Sequence, residues 1–248
     1  MFKPKTTRIE ELSKQYPKRI AELENIFSKR TNVYIDYANV KPWASKLGWH
    51  IELKRLKQLF DSFDTINEVK IYCGQLLGSQ ESKTFLDELK GYGYTVTTKP
   101  VKIMKKSIDV SSITTSSPDI LKDFIRKSLL QKFTIETVEY LNSRLRELNE
   151  QGIVCIEDMK CNFDVEIGRD MLIDYDKNKI EHFILWSGDS DFASSLEQLL
   201  FDGKKVFVFA TARRVSTELS ELRQKGLFIF DIQKIRNFIC WKREITIQ

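Results

Sequence analysis

The stretch FILWSGDSDF, residues 183–192, decides the fold of this chain. It begins with an apolar run of the kind that forms a buried parallel strand, and the run stops at Ser187. Gly188 then turns the chain, and Asp189 and Asp191 follow. Open α/β sheets place ligands at the carboxyl ends of parallel strands, so the pattern predicts a functional site at a sheet edge. The simpler interpretation is a polar turn in which Asp191 caps the following helix.

A second strand that ends in an acid lies far upstream. NVYIDYANV, residues 32–40, is a short apolar segment that ends in Asp36, and Asn39 follows three residues later. Two strands of one parallel sheet that both end in aspartate would bring their carboxylates together at the same edge. For Asn39 an Asx turn is an alternative that does not exclude a role in the site.

A third acidic segment, KCNFDVEIGRDMLIDY at residues 160–175, predicts a helix that Asp164 opens. A carboxylate at a helix start is commonly a cap or a dipole partner, so Asp164 is open to both a capping and a ligand role. Asp170 lies six residues further along the helix, about 120° around the axis from Asp164. We therefore expect one of the two to face a bound cation and the other to cap the helix or act through water.

The periodicity of the whole chain predicts an α/β fold with a mainly parallel sheet flanked by helices. Strand and helix segments alternate, which is typical of βαβ units. Right-handed crossovers would place Asp36 and Asp189 near the switch point between central strands, in the order 3-2-1-4-5. Pro100 restricts the third strand to an edge. The predicted strands are 32–36, 69–76, 94–103, 181–188, 204–211 and 227–232, and the predicted helices include 7–30, interrupted near Pro17, with 51–63 and 82–93.

Residues 107–152 break this alternation and predict an inserted helical hairpin. A polar linker leads to a first helix that begins at Pro118, and a second helix carries the apolar stripe from Val138 to Leu148. The hairpin is interpreted as a lid on the main core, as a contact between copies in a homo-oligomer, or as a basic arm that faces the substrate. The predicted organisation is an N-terminal helical segment, 1–31, and a main domain, 32–248, that contains this insertion.

Composition narrows the class of protein. The chain has 248 residues with 40 basic and 35 acidic side chains, and its net charge of +5 permits nucleic-acid binding without requiring it. Four cysteines without a C-x-x-C pair and only two histidines disfavour a zinc site. The sequence shows neither a signal peptide nor an apolar run near eighteen residues. We expect a cytoplasmic protein with reduced thiols that does not enter a membrane.

Three motifs together resemble a known family. DYAN at 36–39, FDVEIGRDML at 163–172 and WSGDSDF at 186–192 look like the three signatures of NYN domains, in particular the LabA-type branch of the PIN-like nuclease superfamily. Their order and spacing match as well. The resemblance covers roughly 33–100 and 155–232, and it is specific as a combination although no single motif is.

The resemblance implies a PIN-like (Rossmann-type) metal-dependent ribonuclease that acts on RNA through an acidic pocket. Aspartates without histidine suit Mg²⁺ or Mn²⁺ better than zinc. The implied catalytic and metal-binding residues are Asp36, Asp164, Asp170, Asp189 and Asp191. The predicted substrate-binding residues are Asn39, Ser187, Lys160, Arg213 and Arg214.

The sequence departs from the family at two places, and other functions stay open. The usual K-G-V-D is K-C-N-F-D at 160–164, which puts a role for Lys160 in doubt, and 105–152 has no recognised counterpart. Trp43 and Trp49 are interpreted as core residues or as platforms for unpaired bases. The alternative functions are a non-catalytic RNA-binding or regulatory module and a phosphomonoesterase. The second usually requires D-x-D after the first strand, where this chain has D-x-x-N.

Overall fold

The structure, a computed structural model, describes residues 1–211 and 214–240, apart from the side chain of Lys46. The chain forms two compact units. The larger unit combines Met1–Pro100 with Cys161–Gln248, and the smaller unit is Val101–Lys160.

The elements alternate between strands and helices through most of the described chain. The strands are β1 (Thr31–Asp36), β2 (Ile66–Gln75), β3 (Thr95–Pro100), β4 (Lys102–Ser107), β5 (Cys155–Lys160), β6 (His182–Trp186), β7 (Lys205–Ala210) and β8 (Phe228–Asp231). The longer helices are α1 (Thr7–Gln15), α2 (Pro17–Ile26), α5 (Leu53–Phe60), α6 (Gln80–Gly91), α8 (Ile135–Glu150), α9 (Asp164–Asp176) and α10 (Ala193–Phe201). The short helices are α3 (Tyr37–Val40), α4 (Ala44–Leu47), α7 (Lys127–Leu130), α11 (Thr217–Glu221) and α12 (Arg236–Ile239).

A six-stranded sheet forms the centre of the larger unit, with the strand order β3-β2-β1-β6-β7-β8. Every neighbouring pair in it is parallel. The predicted order of the first five strands is confirmed, and β8 adds a sixth at the edge. Chain order reverses between β1 and β6, where Ile35 pairs with Trp186. The two strands that deliver Asp36 and Asp189 are therefore neighbours at the switch point.

Both faces of the sheet are covered, so its central strands are buried along their whole length. The helix α2 contributes to this same core, because its residues Ile20, Leu23 and Ile26 are buried in it, and Leu12 of α1 packs against it. The predicted break near Pro17 is confirmed, since α2 begins there. Residues 1–31 therefore lie in the larger unit.

The smaller unit contains an antiparallel pair of strands and one long helix. β4 pairs with β5 from Lys102↔Lys160 to Ser107↔Cys155. Thr134 caps α8 through its hydroxyl. The side-chain amide of Asn142, buried on α8, donates to the carbonyl oxygens of Thr115 and Ser117 at 2.7 Å each. These two bonds tie the irregular segment before the helix to its middle.

Two sequence predictions about this region are wrong. The predicted strand 94–103 ends at Pro100, and the residues after it form β4 of the smaller unit. The predicted helix from Pro118 is a 3₁₀ turn, Leu121–Asp123, followed by the single-turn α7. Of the apolar residues Ile120, Leu121, Phe124, Ile125 and Leu129, which would form its packed face, only Leu121 is buried, and a short helix without a packed face is unstable. The second predicted helix is confirmed as α8.

All four cysteines lie in the described part of the chain, and none is in a disulfide. No helix in the described ranges has the length and apolar character needed to cross a membrane. Trp43 and Trp49 are both buried in the core of the larger unit, which confirms the structural interpretation of the two tryptophans.

Candidate metal centre

Three carboxylates converge at the carboxyl edge of the sheet in the larger unit. Asp164, Asp189 and Asp191 each offer an oxygen, and these oxygens lie within 4.8 Å of one another. Asp164 is the first residue of α9, whereas the other two belong to the turn that follows β6. The strand end and the helix start thus meet, as the two acidic motifs predict.

The turn after β6 is shaped by a hydrogen bond between its backbone and one of its own carboxylates. The Asp189 carboxylate accepts from the amide of Asp191 at 3.3 Å and caps a 3₁₀ turn, Ser190–Phe192, that leads into α10. The prediction that Asp191 caps this helix is therefore wrong, because Asp189 caps the 3₁₀ turn and α10 itself begins two residues later, at Ala193. Capping engages one oxygen of Asp189 and does not remove its carboxylate from the acidic group.

Gly188 is required by the close approach of another loop. A Cβ at this position would lie 1.6 Å from the carbonyl oxygen of Arg214, which is backbone and cannot rotate away. The carbonyl of Gly188 also accepts from the amide of Ser216 at 3.0 Å. The loop after β7 is thus held directly against the turn that carries Asp189.

Asp36 is buried at the end of β1, beside the acidic group but outside the 4.8 Å set. Its carboxylate accepts from the amide of Asn39 and from the hydroxyl of Ser187, both at 3.3 Å. Burial raises the pKa of Asp36 to about 6, and the charges of Asp164 and Asp189 also raise it against these two hydrogen bonds. Asp36 is therefore electrostatically part of the centre.

Asn39 and Ser187 connect the two strand ends. The side-chain oxygen of Asn39 accepts from the amide of Gly188 at 3.3 Å, and the Ser187 hydroxyl also accepts from the amide of Asp189 at 3.3 Å. Asn39 and Ser187 thus each link the end of β1 to the turn that follows β6. Their observed contacts fix the carboxylates in place, while their predicted contact with a substrate stays a prediction.

Asp164 and Asp170 are separated by the helix, as their spacing predicts. Burial raises the pKa of Asp164, and the nearby Asp191 and Asp189 add to this against a bond with Asn162. Asp170 instead accepts from the hydroxyl of Tyr72 at 2.9 Å and from the guanidinium of Arg169 at 2.8 Å. Among the described residues, the close acidic group contains Asp164 and not Asp170.

The predicted cationic contacts are spread over different parts of the chain. Lys160 is exposed at the end of β5 in the smaller unit. Arg213 lies outside the described residues. Arg214 is half-buried, and its Nε has no hydrogen-bond partner among the described atoms. A role of these three residues in substrate binding stays a prediction.

Sequence analysis missed the part played by Asp174, the next acid along α9. It is fully buried and its carboxylate accepts from Lys70 at 2.8 Å, from Tyr34 at 2.5 Å and from Asn32 at 2.8 Å. These partners lie on β1 and β2, so the network fastens α9 to the sheet. The available signal was Lys70, a charged residue inside an apolar strand, which requires a buried partner.

Comparisons with known proteins agree with this geometry. Residues 115–230 match the model of the NYN domain family, a range that includes the second and third acidic motifs and begins after the first. The chain is 24% identical over 214 residues to the "Low amplitude and bright protein LabA" of Synechococcus elongatus, covering 85% of this chain and 87% of that protein.

Structural comparison supports the fold alone. The crystal structure of a protein of unknown function from Vibrio parahaemolyticus is similar with a TM-score of 0.51 and 16% identity, over 86% of this chain and 96% of that one. The family match and the LabA similarity together confirm the resemblance to the NYN domain family that the three acidic motifs predict.

Proposed function

We propose that this protein is a metal-dependent ribonuclease that hydrolyses phosphodiester bonds of RNA. Its active site would be the acidic centre, by which we mean Asp36, Asp164, Asp189 and Asp191. The observation that carries the proposal is the convergence of Asp164, Asp189 and Asp191 within 4.8 Å, beside the buried Asp36. The NYN match supports it, because this family is nuclease-like. The fold places the four carboxylates at the end of the sheet where α/β proteins bind ligands.

The donor set suits a hard divalent cation. Carboxylate oxygens are the ligands that Mg²⁺ and Mn²⁺ prefer, and the close acidic group contains neither histidine nor cysteine among the described residues. The raised pKa values of Asp36 and Asp164 reflect both the burial of these carboxylates and their mutual repulsion. A cation between these side chains would relieve both costs. When bound, it would neutralise the phosphate and lower the pKa of an attacking water.

We assign distinct tasks to the residues of the chain. Asp164, Asp189 and Asp191 hold the cation, and Asp36 adds negative charge from the end of β1. Asn39 and Ser187 keep the two strand ends in register through their hydrogen bonds. We place Asp170 in a supporting position, because Tyr72 and Arg169 engage its oxygens. Lys160, Arg213 and Arg214 are proposed phosphate contacts.

The proposal is tested by measuring the rate at which the protein cleaves single-stranded and structured RNA. The assay is run in the presence of Mg²⁺, of Mn²⁺ or of EDTA. Asp189→Asn should lower the rate by at least about a hundredfold, as loss of one electrostatic group in a catalytic site commonly does. The matched control is Asp202→Asn, an exposed aspartate after α10. RNA binding without any metal-dependent cleavage by the wild type would favour the binding-module alternative. Cleavage that persists in EDTA would contradict the metal requirement.

A further inference from the structure

An open groove runs from the acidic centre along the surface between α9 and α10. It is shallow and largely open to solvent, with a volume of about 870 Å³, and Asp164 and Asp191 line one end of it. Tyr175 lines it further along α9, and Lys177 lines it just after the end of this helix. Whatever occupies this groove would therefore also contact the residues that are proposed to hold the cation.

The wall of this groove on α9 is apolar although it faces solvent. Val165 is 80% exposed and Leu172 is 51% exposed, and their spacing of seven residues puts them on the same side of the helix. The opposite side of α9 buries Ile167 and Met171 in the core. A surface helix normally carries polar residues on its outer face, so an apolar outer face beside a functional site indicates a binding surface.

Gly168 lines the middle of the groove, where the absence of a side chain leaves space. It lies between the two apolar side chains, and a Cβ there would sit 3.4 Å from the hydroxyl oxygen of Ser195 on α10. Glycine weakens a helix interior relative to alanine, so its presence needs a compensating reason. The gap that glycine leaves between Val165 and Leu172 supplies that reason.

We propose that this groove binds the unpaired nucleoside next to the scissile phosphate of a single-stranded RNA. The inference rests on the proposed ribonuclease function and adds to it a binding surface for the base beside the scissile phosphate. The base of an unpaired nucleotide has apolar faces that can lie on Val165 and Leu172, whereas a duplex hides these faces in its stack. Arg169 and Lys177 line the same groove and can meet the phosphates on either side.

The chemistry of the groove favours a nucleotide chain over a protein segment. Its acidic end repels any anion until a cation is bound, which places a phosphate at the cation and directs the attached nucleoside along the apolar wall. A protein segment bound there would cover the acidic centre and block it. The groove and the acidic centre share Asp164 and Asp191. A single ligand can therefore lie in the groove and reach the acidic centre at the same time.

Binding of a fluorescein-labelled 12-nucleotide RNA without self-complementarity tests the groove, with Ca²⁺ as the cation. The variant is Val165→Ser with Leu172→Asn, and the control is Phe201→Ser, which removes an 86% exposed side chain that does not line the groove. The double variant should raise the Kd by roughly tenfold, since several apolar groups lose their contact with the base. The control should bind as the wild type does. The same RNA annealed to its complement should bind more weakly to the wild type.

A second measurement locates the RNA without relying on affinity. In the wild type, 4-thiouridine in the same RNA should crosslink to the peptide that contains residues 165–177. Unchanged binding by the double variant, or crosslinks that map elsewhere, would overturn the groove assignment while Asp189-dependent cleavage still stood. A double variant that only lost self-association in gel filtration would assign the groove to a second copy instead. Failure of the wild type both to bind and to cleave RNA would remove the ribonuclease proposal as well.

Discussion

Asp36 shows how burial and like charge determine the behaviour of a single residue. In an unfolded chain the pKa of aspartate is about 3.9. Burial, aided by the charges of Asp164 and Asp189, raises the folded-state pKa of Asp36 to about 6. Between these two values the folded protein binds a proton that the unfolded chain releases. The contribution of Asp36 to stability is therefore present below pH 4 and is lost as the pH rises through 6.

Replacing Asp36 by asparagine should consequently stabilise the metal-free protein at neutral pH. A change of one in pKa corresponds to about 1.4 kcal/mol, so we expect a gain of roughly 1–3 kcal/mol at pH 7.5 in EDTA and little change near pH 4. Urea unfolding at the two pH values measures this. The same variant should weaken the rise in Tm that Mg²⁺ produces, because it removes charge beside the cation.

The control for Asp36→Asn is Asp87→Asn, an exposed aspartate on α6. It makes the same chemical change away from the acidic centre and should leave both the pH dependence and the metal response unaltered. An Asp36→Asn variant that loses stability between pH 4 and 6 as the wild type does would show that another group titrates there.

The sequence identifies the acids of the site but not the task of each. Asp36, Asp164, Asp189 and Asp191 could be predicted because each follows a strand or opens a helix at one sheet edge. Asp170 could not be separated from Asp164 from the sequence, because the rotation of α9 about its axis is set by packing against Tyr72 and the core. Helical spacing gives the angle between two side chains and not the direction in which either points.

At the scale of elements, α9 is held to the sheet by one buried ionic network. Burial opposes ionisation of Asp174, yet hydrogen bonds from Lys70, Tyr34 and two asparagines outweigh it and lower its pKa. The Lys70 ammonium lies 2.8 Å from the carboxylate. Since Asp164 opens the same helix, this network also fixes the element that carries one of the three converging carboxylates.

Replacing Lys70 by methionine should destabilise the protein by about 3 kcal/mol at pH 7, because it leaves the Asp174 carboxylate buried without a cation. Adding Asp174→Leu should recover only part of this loss, since it removes the unpaired charge but leaves the buried donors of Tyr34 and Asn32 without an acceptor. Urea unfolding of the single and double variants measures both effects.

The matched control for Lys70→Met is Lys14→Met, which breaks an exposed pair with Glu10 and should change stability little. Equal and small losses for the two lysine variants would contradict the idea that the buried network anchors α9. A double variant less stable than Lys70→Met would instead show that the hydrogen bonds of Asp174 with Tyr34 and Asn32 outweigh its unpaired charge.

Whether an element could be predicted from the sequence depends on how much of it is buried. The strands of the central sheet are buried on both faces, so they read as apolar runs whose order follows from right-handed crossovers. β4 and β5 are largely exposed and rich in charge, and their pairing depends on two segments about fifty residues apart. No local pattern indicates such a pair, because exposed antiparallel strands need no apolar run.

At the scale of the whole molecule, every carboxylate of the acidic centre belongs to the larger unit. The chain leaves this unit after Pro100 and re-enters it at Cys161. The Cys161 thiol lies 3.8 Å from the carbonyl oxygen of Lys99, so the two ends of the larger unit are adjacent in space. A short connection can therefore join them without stretching the sheet, and closing a short loop costs little entropy.

Replacing Val101–Lys160 by about six glycine and serine residues should accordingly leave a folded protein that still responds to metal. We expect Mg²⁺ or Mn²⁺ to raise its Tm by an amount similar to the wild type, because all four carboxylates and the Asp174 network are retained. Circular dichroism reports folding, and thermal unfolding with and without EDTA reports the metal response. The control is the same deletion with Asp189→Asn, which should fold and lose most of that response.

A folded deletion variant that metal no longer stabilises would show that residues of the smaller unit complete the centre. Because the RNA assay can be run on the same protein, a retained metal response with lost cleavage would assign the smaller unit to substrate binding.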